Sequence, residues 1–218
     1  MDKKTTKEWW DKSMEDGYFT DMIFCFSRPD LIEKFNLSER SSILEIGFGY
    51  GRETSQFCKI SKNVYGLDLA ATAKDIAYKN ISKLNIENVP TLNTYDGTKL
   101  NFPNKKFNFI YSCFVIQHMS KQSAVDLIDE SIRVLKDDGS ILFEFFGDSS
   151  FFKDGMDDVF SGTPNLVEEN LPYGGMYNNA FNRETINQIV EKTQGKVLWV
   201  DEQPIDTNFS NYWVCITR

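Results

Sequence analysis

The stretch Ser42–Thr54 reads S-I-L-E-I-G-F-G-Y-G-R-E-T and decides the fold. It begins with a short apolar run interrupted by one carboxylate, Glu45, continues with three alternating glycines, and ends in a polar segment that can open a helix. A buried strand, a glycine turn and a helix start let the backbone approach a nucleotide-like ligand closely. The dinucleotide fingerprint G-x-G-x-x-G requires a sixth-position glycine, where this chain has Arg52. The stretch therefore predicts a nucleotide-type site that is not of the dinucleotide kind.

The composition is that of a globular protein with an acidic surface. The chain has 218 residues, of which 41% are hydrophobic and 26% charged, enough for one domain with a full core. Its net charge of -8 disfavours a nucleic-acid partner, because an acidic surface repels phosphate. The 18 Phe, 9 Tyr and 4 Trp suit a core and an apolar ligand pocket.

The cysteine and histidine content argues against a metal site. The four cysteines are scattered without a C-x-x-C pair, and His118 is the only histidine, so a closed zinc site is not expected. Unpaired thiols favour a reducing compartment. The N-terminus lacks an apolar signal core, and no stretch approaches the roughly 20 apolar residues of a membrane span. We expect a cytoplasmic protein with no membrane span.

From residue 42 onward, short apolar runs alternate with segments of helical periodicity. The predicted strands are Ile43–Ile46, Val64–Leu69, Val89–Tyr95, Phe107–Phe114 and Ile141–Phe146. The predicted helices are Arg52–Lys59, Ala71–Leu84 and Ser123–Leu135, the last closed by Asp138-Gly139. Such alternation indicates right-handed crossovers and an α/β, Rossmann-like, doubly wound and mostly parallel sheet with helices on both faces.

The segments around this core complete a single predicted domain, 1–218. Residues 1–41 predict an N-terminal helical lid with helices at Thr6–Glu15 and Pro29–Phe35, and residues 42–146 form the core. Residues 147–181 are rich in Gly, Asn, Pro and aromatics and predict a substrate cap inserted after the fifth strand. Residues 182–218 predict a helix, Arg183–Thr193, and two strands that bring the sheet to seven, Val197–Asp201 and Tyr212–Thr217.

Polar residues follow the predicted strands at the sheet edge where ligands bind. Asp68 closes the second strand, Asp96 follows the third, and Ser112-Cys113 closes the fourth. A carboxylate at the end of the second strand can accept from both ribose hydroxyls, and the next can accept from an exocyclic amine. Each Asp alone is also a common turn or helix cap. Their order and spacing together favour a ligand site.

These motifs resemble those of the class I S-adenosylmethionine (SAM)-dependent methyltransferases, mainly across residues 40–146. E-I-G-F-G-Y-G resembles the first motif, V-Y-G-L-D-L the acidic second-strand motif, and Y-D-G the adenine loop. F-N-F-I-Y-S-C-F-V-I-Q-H-M resembles the fourth-strand motif, and R-V-L-K-D-D-G-S-I-L-F-E-F the approach to the fifth strand. The family usually has Asp where this chain has Asn108, at the start of the fourth strand, and we interpret this difference as structural.

The resemblance implies SAM as the cofactor and S-adenosylhomocysteine (SAH) as its product. The backbone at the three glycines would lie against the methionine part of SAM, and Glu45 would support its ammonium group. Asp68 would bind the ribose, and Asp96 would accept from the adenine amine. The whole implied cofactor set is Glu45, Gly47, Phe48, Gly49, Gly51, Asp68, Leu69, Tyr95, Asp96, Gly97, Cys113 and Val115.

Methyl transfer from a sulfonium is an in-line displacement that needs alignment more than activation, and it requires no metal. An acceptor that must lose a proton needs a base, for which His118 and Glu144 are the candidates. The residues predicted to contact the acceptor are Tyr18, Tyr173, Tyr177 and Asn178. The predicted activity is O-methylation of a small hydroxylated or anionic acceptor, such as a sugar, a sugar nucleotide or a phosphate-type group.

Other functions share this architecture: a nicotinamide oxidoreductase, a nucleic-acid or protein methyltransferase, and a non-catalytic partner subunit with this fold. A nicotinamide oxidoreductase is disfavoured by Arg52, which breaks the glycine spacing. Nucleic-acid methyltransferases acting on base amines often carry N/D-P-P-Y/F after the fourth strand, where this chain reads Y-S-C-F-V. A non-catalytic partner subunit is disfavoured by the intact glycine motif with both carboxylates, although fold alone never proves activity. The sequence leaves the acceptor and the oligomeric state open.

Overall fold

A computed structural model describes residues 3–17, 27–97, 99–147, 165–166, 177–206 and 209–218. The helices are α1 (Lys3–Glu15), α2 (Pro29–Ile32), α3 (Arg52–Ile60), α4 (Ala73–Ser82), α5 (Lys121–Val134) and α6 (Arg183–Glu191). The strands are β1 (Ser42–Ile46), β2 (Asn63–Asp68), β3 (Thr91–Thr94), β4 (Phe107–Ser112), β5 (Leu135–Phe146), β6 (Asn165–Leu166), β7 (Tyr177–Asn178), β8 (Lys196–Asp206) and β9 (Phe209–Thr217). Two 3₁₀ turns lie at Glu33–Phe35 and Ile116–His118.

One seven-stranded sheet organises the molecule, in the order β3-β2-β1-β4-β5-β9-β8. Strands β1 to β5 are parallel, whereas β9 runs antiparallel to both β5 and β8. The chain reverses its direction of winding between β1 and β4, which places the switch point beyond the carboxyl end of β1. The doubly wound, mostly parallel sheet predicted from the sequence is confirmed.

The central strands are buried on both faces, as their near-continuous apolar sequences predict. Leu44 and Ile110 belong to the core cluster that includes α5 and α6, whereas Ile43 and Phe109 pack with Phe57 of α3 on the opposite face. All five side chains are fully buried. The glycine turn that follows β1 is therefore fixed between two packed layers.

Several predicted boundaries differ from the structure, and three of them are wrong for a clear local reason. The third strand begins at Thr91 rather than Val89, because Pro90 has no amide to donate to the ladder and Val89 is 68% exposed. The fourth strand ends at Ser112, because Phe114 adopts a left-handed φ of 58° that cannot continue a strand.

The third error concerns the junction of α5 and β5. The helix ends at Val134 and Leu135 already begins the strand, so Asp138-Gly139 lies within β5 and does not close the helix. Between Phe107 and Phe109 of β4 the pairing jumps from Leu135 to Ser140, so β5 carries a bulge there.

The terminal elements follow the sequence prediction in kind. Strands β8 and β9 form a longer hairpin than predicted, and the predicted helix at Pro29–Phe35 divides into α2 and a 3₁₀ turn. Of the predicted cap 147–181, the structure describes the short antiparallel pair of β6 and β7 and a few flanking residues. The division into lid, core, cap and C-terminal segments stays a prediction.

The Asn108 side chain joins three neighbouring segments at the start of β4. Its Oδ1 accepts from Ser42 N at 2.9 Å and from Lys136 Nζ at 3.0 Å, far from the carboxyl edge of the sheet. We expect Asn108→Ala to lower the free energy of unfolding by about 1–2 kcal/mol, because it leaves the half-buried backbone N–H of Ser42 without its acceptor. Asn108→Asp retains both acceptor bonds and is the matched control. Urea unfolding of the variants checks this, and a changed affinity of Asn108→Ala for the predicted cofactor would contradict a purely structural role.

Candidate cofactor and acceptor site

The glycine turn lies at the switch point of the sheet. Gly47, Gly49 and Gly51 have φ angles of 80°, 47° and 83°, a left-handed conformation that favours glycine. Gly47 N donates to Leu67 O of the neighbouring strand at 2.7 Å. A Cβ added to Gly47 would lie 2.1 Å from Cγ2 of Val115. The turn therefore passes directly against the chain that leaves β4, and the predicted pair of Gly47 and Val115 is brought together.

Asp68 is joined to the glycine turn by a hydrogen bond. Its Oδ2 accepts from Gly49 N at 2.8 Å and its Oδ1 from Ala70 N at 2.9 Å. The side chain is only 8% exposed, and this burial raises the pKa of Asp68 to about 6, against the effect of these bonds. A carboxylate has about four lone-pair directions, so Asp68 retains acceptor capacity for further donors such as vicinal hydroxyls.

The residues predicted for the adenine side lie beyond β2 and β3. Tyr95 N donates to Asp68 O at 3.0 Å, which extends the ladder past β3 and brings the two strand ends together. Asp96 is exposed, and Gly97 follows with a φ of 76°. A Cβ on Gly97 would be 3.8 Å from Cδ1 of Leu69. These four residues form an edge beside Asp68 where a flat ring can lie.

Two further members of the predicted cofactor set point into the protein. Phe48 is 2% exposed and packs under the turn, where a Cβ on Gly66 would meet its ring at 2.8 Å. Glu45 is 2% exposed and accepts from the Thr54 hydroxyl, and its burial, with the nearby carboxylate of Glu53, raises its pKa well above the usual range. Both residues support the turn from beneath, and their contact with a cofactor stays a prediction.

Helix α1 packs against the outer side of the glycine turn. The Met14 methyl group lies 3.4 Å from the position of a Cβ on Gly49, and Tyr50 OH donates to Met14 O at 3.4 Å. The Trp10 ring contacts the ring of His118 edge-on, with centroids 5.1 Å apart. His118 lies in the 3₁₀ turn after β4 and is half-buried. The predicted base is thus near the turn, between β4 and α1.

Glu144, the other predicted base, is held by three donors. Its Oε2 accepts from Phe114 N at 2.9 Å and from Cys113 Sγ at 3.2 Å, and its Oε1 accepts from Asn211 Nδ2 at 2.6 Å. The residue is 2% exposed, and this burial raises its pKa. These contacts give Glu144 a clear role in fixing the end of β4. A catalytic role stays a prediction.

A buried polar cluster beside Cys113 was not predicted. Glu53 Oε1 accepts from Ser27 Oγ at 2.7 Å, from Arg52 NH2 at 2.7 Å and from Tyr111 OH at 3.2 Å. The sequence signal is the charged pair Arg52-Glu53 directly after the glycine turn, of which Arg52 alone entered the prediction, as evidence against a dinucleotide site. Arg52 NH2 also lies 3.9 Å from Cys113 Sγ, so the cluster reaches the end of β4.

The predicted acceptor contacts are only partly within the described residues. Tyr18 and Tyr173 lie outside them. Tyr177 and Asn178 form β7, whose backbone is described. The next residue, Asn179, donates from its backbone N–H to Gln117 O at 2.7 Å. This bond brings the end of β7 against the 3₁₀ turn that contains His118. Across the described ranges, no group of three or more His, Cys, Asp or Glu side chains is arranged to hold a metal ion, and no helix is long and apolar enough to cross a membrane.

A comparison with protein families identifies the segment that carries these features. The model of a methyltransferase domain matches residues 43–139, from β1 into the bulge of β5. This match covers less than half of the chain, and it makes residues 43–139 similar to a methyltransferase domain. This segment contains the glycine turn, Asp68, Asp96 and His118.

A solved structure is similar to this chain in fold, and a curated protein is similar to it in sequence. The magnesium protoporphyrin IX methyltransferase of Synechocystis, solved with bound SAH, superimposes with a TM-score of 0.71 at 16% identity over 100% of both chains. An uncharacterized methyltransferase of Anoxybacillus flavithermus is 29% identical over 46% of this chain and 45% of its own length.

Two further curated relatives differ in the acceptors that their names give. The rRNA adenine N-6-methyltransferase of Streptococcus sanguinis is 32% identical over 46% of this chain and 40% of its own. Phosphoethanolamine N-methyltransferase 3 of Arabidopsis thaliana is 28% identical over 59% of this chain and 25% of its own. The chain therefore spans less than half the length of the curated relatives it matches.

Proposed function

We propose that this protein is a SAM-dependent methyltransferase that transfers a methyl group to an oxygen of a small hydroxylated or anionic molecule. The observation that carries the proposal is the hydrogen bond of 2.8 Å between Gly49 N and Asp68 at the switch point of the sheet. It joins Gly49, a residue without a side chain, to a carboxylate with remaining acceptor capacity, the two features that the methionine and ribose parts of SAM require.

The described residues fit this cofactor. Because Gly49 has no side chain, its backbone can be approached closely by a ligand, and the Met14 methyl group of α1 lies 3.4 Å from the position of an added Cβ. Asp68 would accept from the ribose hydroxyls, and Leu69, Asp96 and Gly97 would surround the adenine. When bound, SAM supplies a methyl group on a positively charged sulfur, which needs no metal. The protein holds acceptor and cofactor in line and excludes water with α1 and the aromatic residues around His118.

Several observations favour a small acceptor over a nucleic acid. The net charge of -8 opposes binding to phosphate backbones. The chain after β4 reads Cys113-Phe114-Val115 and lacks the N/D-P-P-Y/F element. Between the two kinds of small acceptor, a neutral hydroxylated molecule is favoured over an anion. Arg52 is the one cation of the described residues that lies beside the end of β4, and it is already paired with Glu53 at 2.7 Å. His118 is the proposed base for such a hydroxyl, since Glu144 is occupied by other donors.

The decisive experiment measures SAH release from SAM with a panel of neutral sugars and phenols, sugar phosphates and a short RNA. Turnover with a small hydroxylated molecule supports the proposal. Methylation of the RNA alone, or SAM binding without turnover of any acceptor, would contradict it and favour the nucleic-acid or partner-subunit function.

We further propose a cytoplasmic location, in agreement with the unpaired state of Cys58, Cys113 and Cys215.

The raised pKa of Asp68 predicts how SAM binding depends on pH. The ionised carboxylate accepts from ribose hydroxyls and attracts the positively charged cofactor. The protonated form is a weaker acceptor and has no charge to attract the cofactor. With a pKa of about 6, we expect constant affinity above about pH 7 and a loss of up to about tenfold per unit of pH below about 6. Calorimetric titration of SAM between pH 5 and 8 measures this. The same titration of Asp68→Asn should be flat, and a parallel fall in that variant would contradict the assignment to Asp68.

A further inference from the structure

Asn211 of β9 is a buried residue whose side-chain oxygen has no hydrogen-bond donor. The residue is 4% exposed, and its Nδ2 donates to Glu144 Oε1 at 2.6 Å. Its Oδ1 has no hydrogen-bond partner. Because this bond fixes the orientation of the amide, the oxygen is held as an unused acceptor. A buried acceptor without a donor is costly for the fold, and a functional role such as pairing with a bound molecule is one explanation for keeping it.

Glu144 connects Asn211 to a second unusual residue, Phe114. The other carboxylate oxygen of Glu144 accepts from Phe114 N at 2.9 Å. Phe114 has a φ of 58°, which is rare and strained for a bulky residue, and its side chain is 43% exposed. Strained residues that are held by their surroundings cluster at ligand-binding sites. A buried carboxylate thus holds an exposed aromatic ring in a conformation that the chain alone disfavours.

The residues around Phe114 place its ring near the cofactor turn, since Arg52, which follows Gly51, lies 5.9 Å from the ring. Cys113 is buried against Glu144, and Val115 packs on Gly47 of the turn. Phe114 lies between them in sequence, and its ring contacts that of Phe146 edge-on, with centroids 5.7 Å apart. Phe146 is the residue that pairs with Asn211 in the sheet. The two rings and the amide therefore lie together at the carboxyl ends of β4 and β5.

The charges around this surface favour a neutral ligand. The Arg52 guanidinium lies 5.9 Å from the Phe114 ring, but it is paired with Glu53 at 2.7 Å. The carboxylates bonded in this region are those of Glu53 and Glu144, and Arg52 is the basic side chain in the hydrogen bonds that join them to their neighbours. An anion bound on Phe114 would meet two carboxylates and one neutralised cation.

We propose that Phe114, Phe146 and Asn211 form the acceptor-binding subsite, which takes a neutral molecule with a flat apolar face and a hydroxyl group that donates to Asn211 Oδ1. This inference rests on the proposed methyltransferase function and narrows its acceptor class. Glu144 is a positioning residue in this arrangement, because it acts through Phe114 and Asn211.

Three probes of similar size test the subsite on the SAH-loaded protein: phenol, which has a donor, anisole, which lacks one, and benzoate, which is anionic. Their dissociation constants are measured by saturation-transfer NMR. We expect phenol to bind about fivefold more tightly than anisole, because only phenol satisfies Asn211. Asn211→Leu should abolish this difference, and Phe114→Ala should weaken both probes several-fold. Leu198→Ala, which truncates another exposed apolar side chain on β8, is the matched control and should change nothing.

The outcomes separate the subsite from the proposed function. Calorimetry with SAH comes first, and absence of SAH binding would overturn the proposed function and the subsite with it. With SAH bound, equal affinities of phenol and anisole, tightest binding of benzoate, or no saturable binding of phenol would overturn the subsite alone. Altered SAH affinity of Asn211→Leu would likewise overturn it, because the residue would then belong to the cofactor site.

Discussion

Asp68→Ala is expected to weaken SAM binding about a hundredfold, because two charge-assisted hydrogen bonds to the ribose hydroxyls are lost. The substitution also releases Gly49 N and Ala70 N, which Asp68 holds at 2.8 and 2.9 Å. The variant therefore loses the carboxylate that would bind the ribose and also the two hydrogen bonds that hold the turn in place. Calorimetric titration of SAM into the wild type and the variant measures the effect.

The control for this substitution is Asp75→Ala on α4, which removes an exposed carboxylate close in sequence to Asp68. It should bind SAM with wild-type affinity. Thermal unfolding in the absence of SAM shows whether Asp68→Ala remains folded. Undiminished affinity of folded Asp68→Ala would remove the ribose role from this residue.

Gly47→Ala is the second substitution with a large expected effect. The new Cβ would lie 2.1 Å from Cγ2 of Val115, and the φ of 80° is strained for any residue with a Cβ. We expect a loss of about 3 kcal/mol in the free energy of unfolding, from the left-handed backbone and the overpacking together. SAM binding should also be lost, because the turn must move to relieve the clash. Urea unfolding monitored by circular dichroism measures the stability.

A double-mutant cycle separates the two causes. Val115→Ala removes the clashing methyl groups but leaves the backbone strain, so Gly47→Ala combined with Val115→Ala should recover part of the lost stability. Purely additive losses would show that Gly47 and Val115 do not contact each other. Such additivity would contradict the proximity of the glycine turn to the chain after β4.

The parts of the site that are local in sequence could be predicted from it. The apolar run before the glycines and the spacing from Gly49 to Asp68 follow from the periodicity of one βαβ unit, and these residues do meet in the structure. The parallel order of β1 to β5 follows from the alternation of strands and helices. Asn108 was recognised as structural because its position at the start of a strand places it at the far edge of the sheet.

The parts that depend on distant segments could not be predicted. Glu144 meets Phe114 across 30 residues and Asn211 across 67, and no periodicity links these positions. Phe114 was taken as the last residue of β4, because a bulky aromatic residue gives no signal for a left-handed backbone conformation. The end of α5 was predicted at Leu135, within one residue, but Asp138-Gly139 was wrongly taken as its closing turn, since a glycine after a helix usually marks its end and here lies in the bulge of β5.

The contacts of α1 connect the fold to the proposed reaction. Met14 lies over Gly49 and Trp10 over His118, so one helix contacts both the cofactor turn and the proposed base. Asp11 Oδ1 also accepts from Thr72 N at 3.1 Å at the start of α4. In the proposed reaction, helix α1 would therefore span the site from the ribose side to the acceptor side and help to exclude the water that methyl transfer requires to be absent.

The most direct test of the central claim is a crystal structure of the protein with SAH. We predict that the ribose hydroxyls lie within hydrogen-bond distance of the Asp68 carboxylate. The homocysteine part should lie against the glycine turn at Gly47–Gly51, and the adenine beside Leu69 and Gly97. An SAH molecule bound elsewhere, or a ribose without contact to Asp68, would contradict the account.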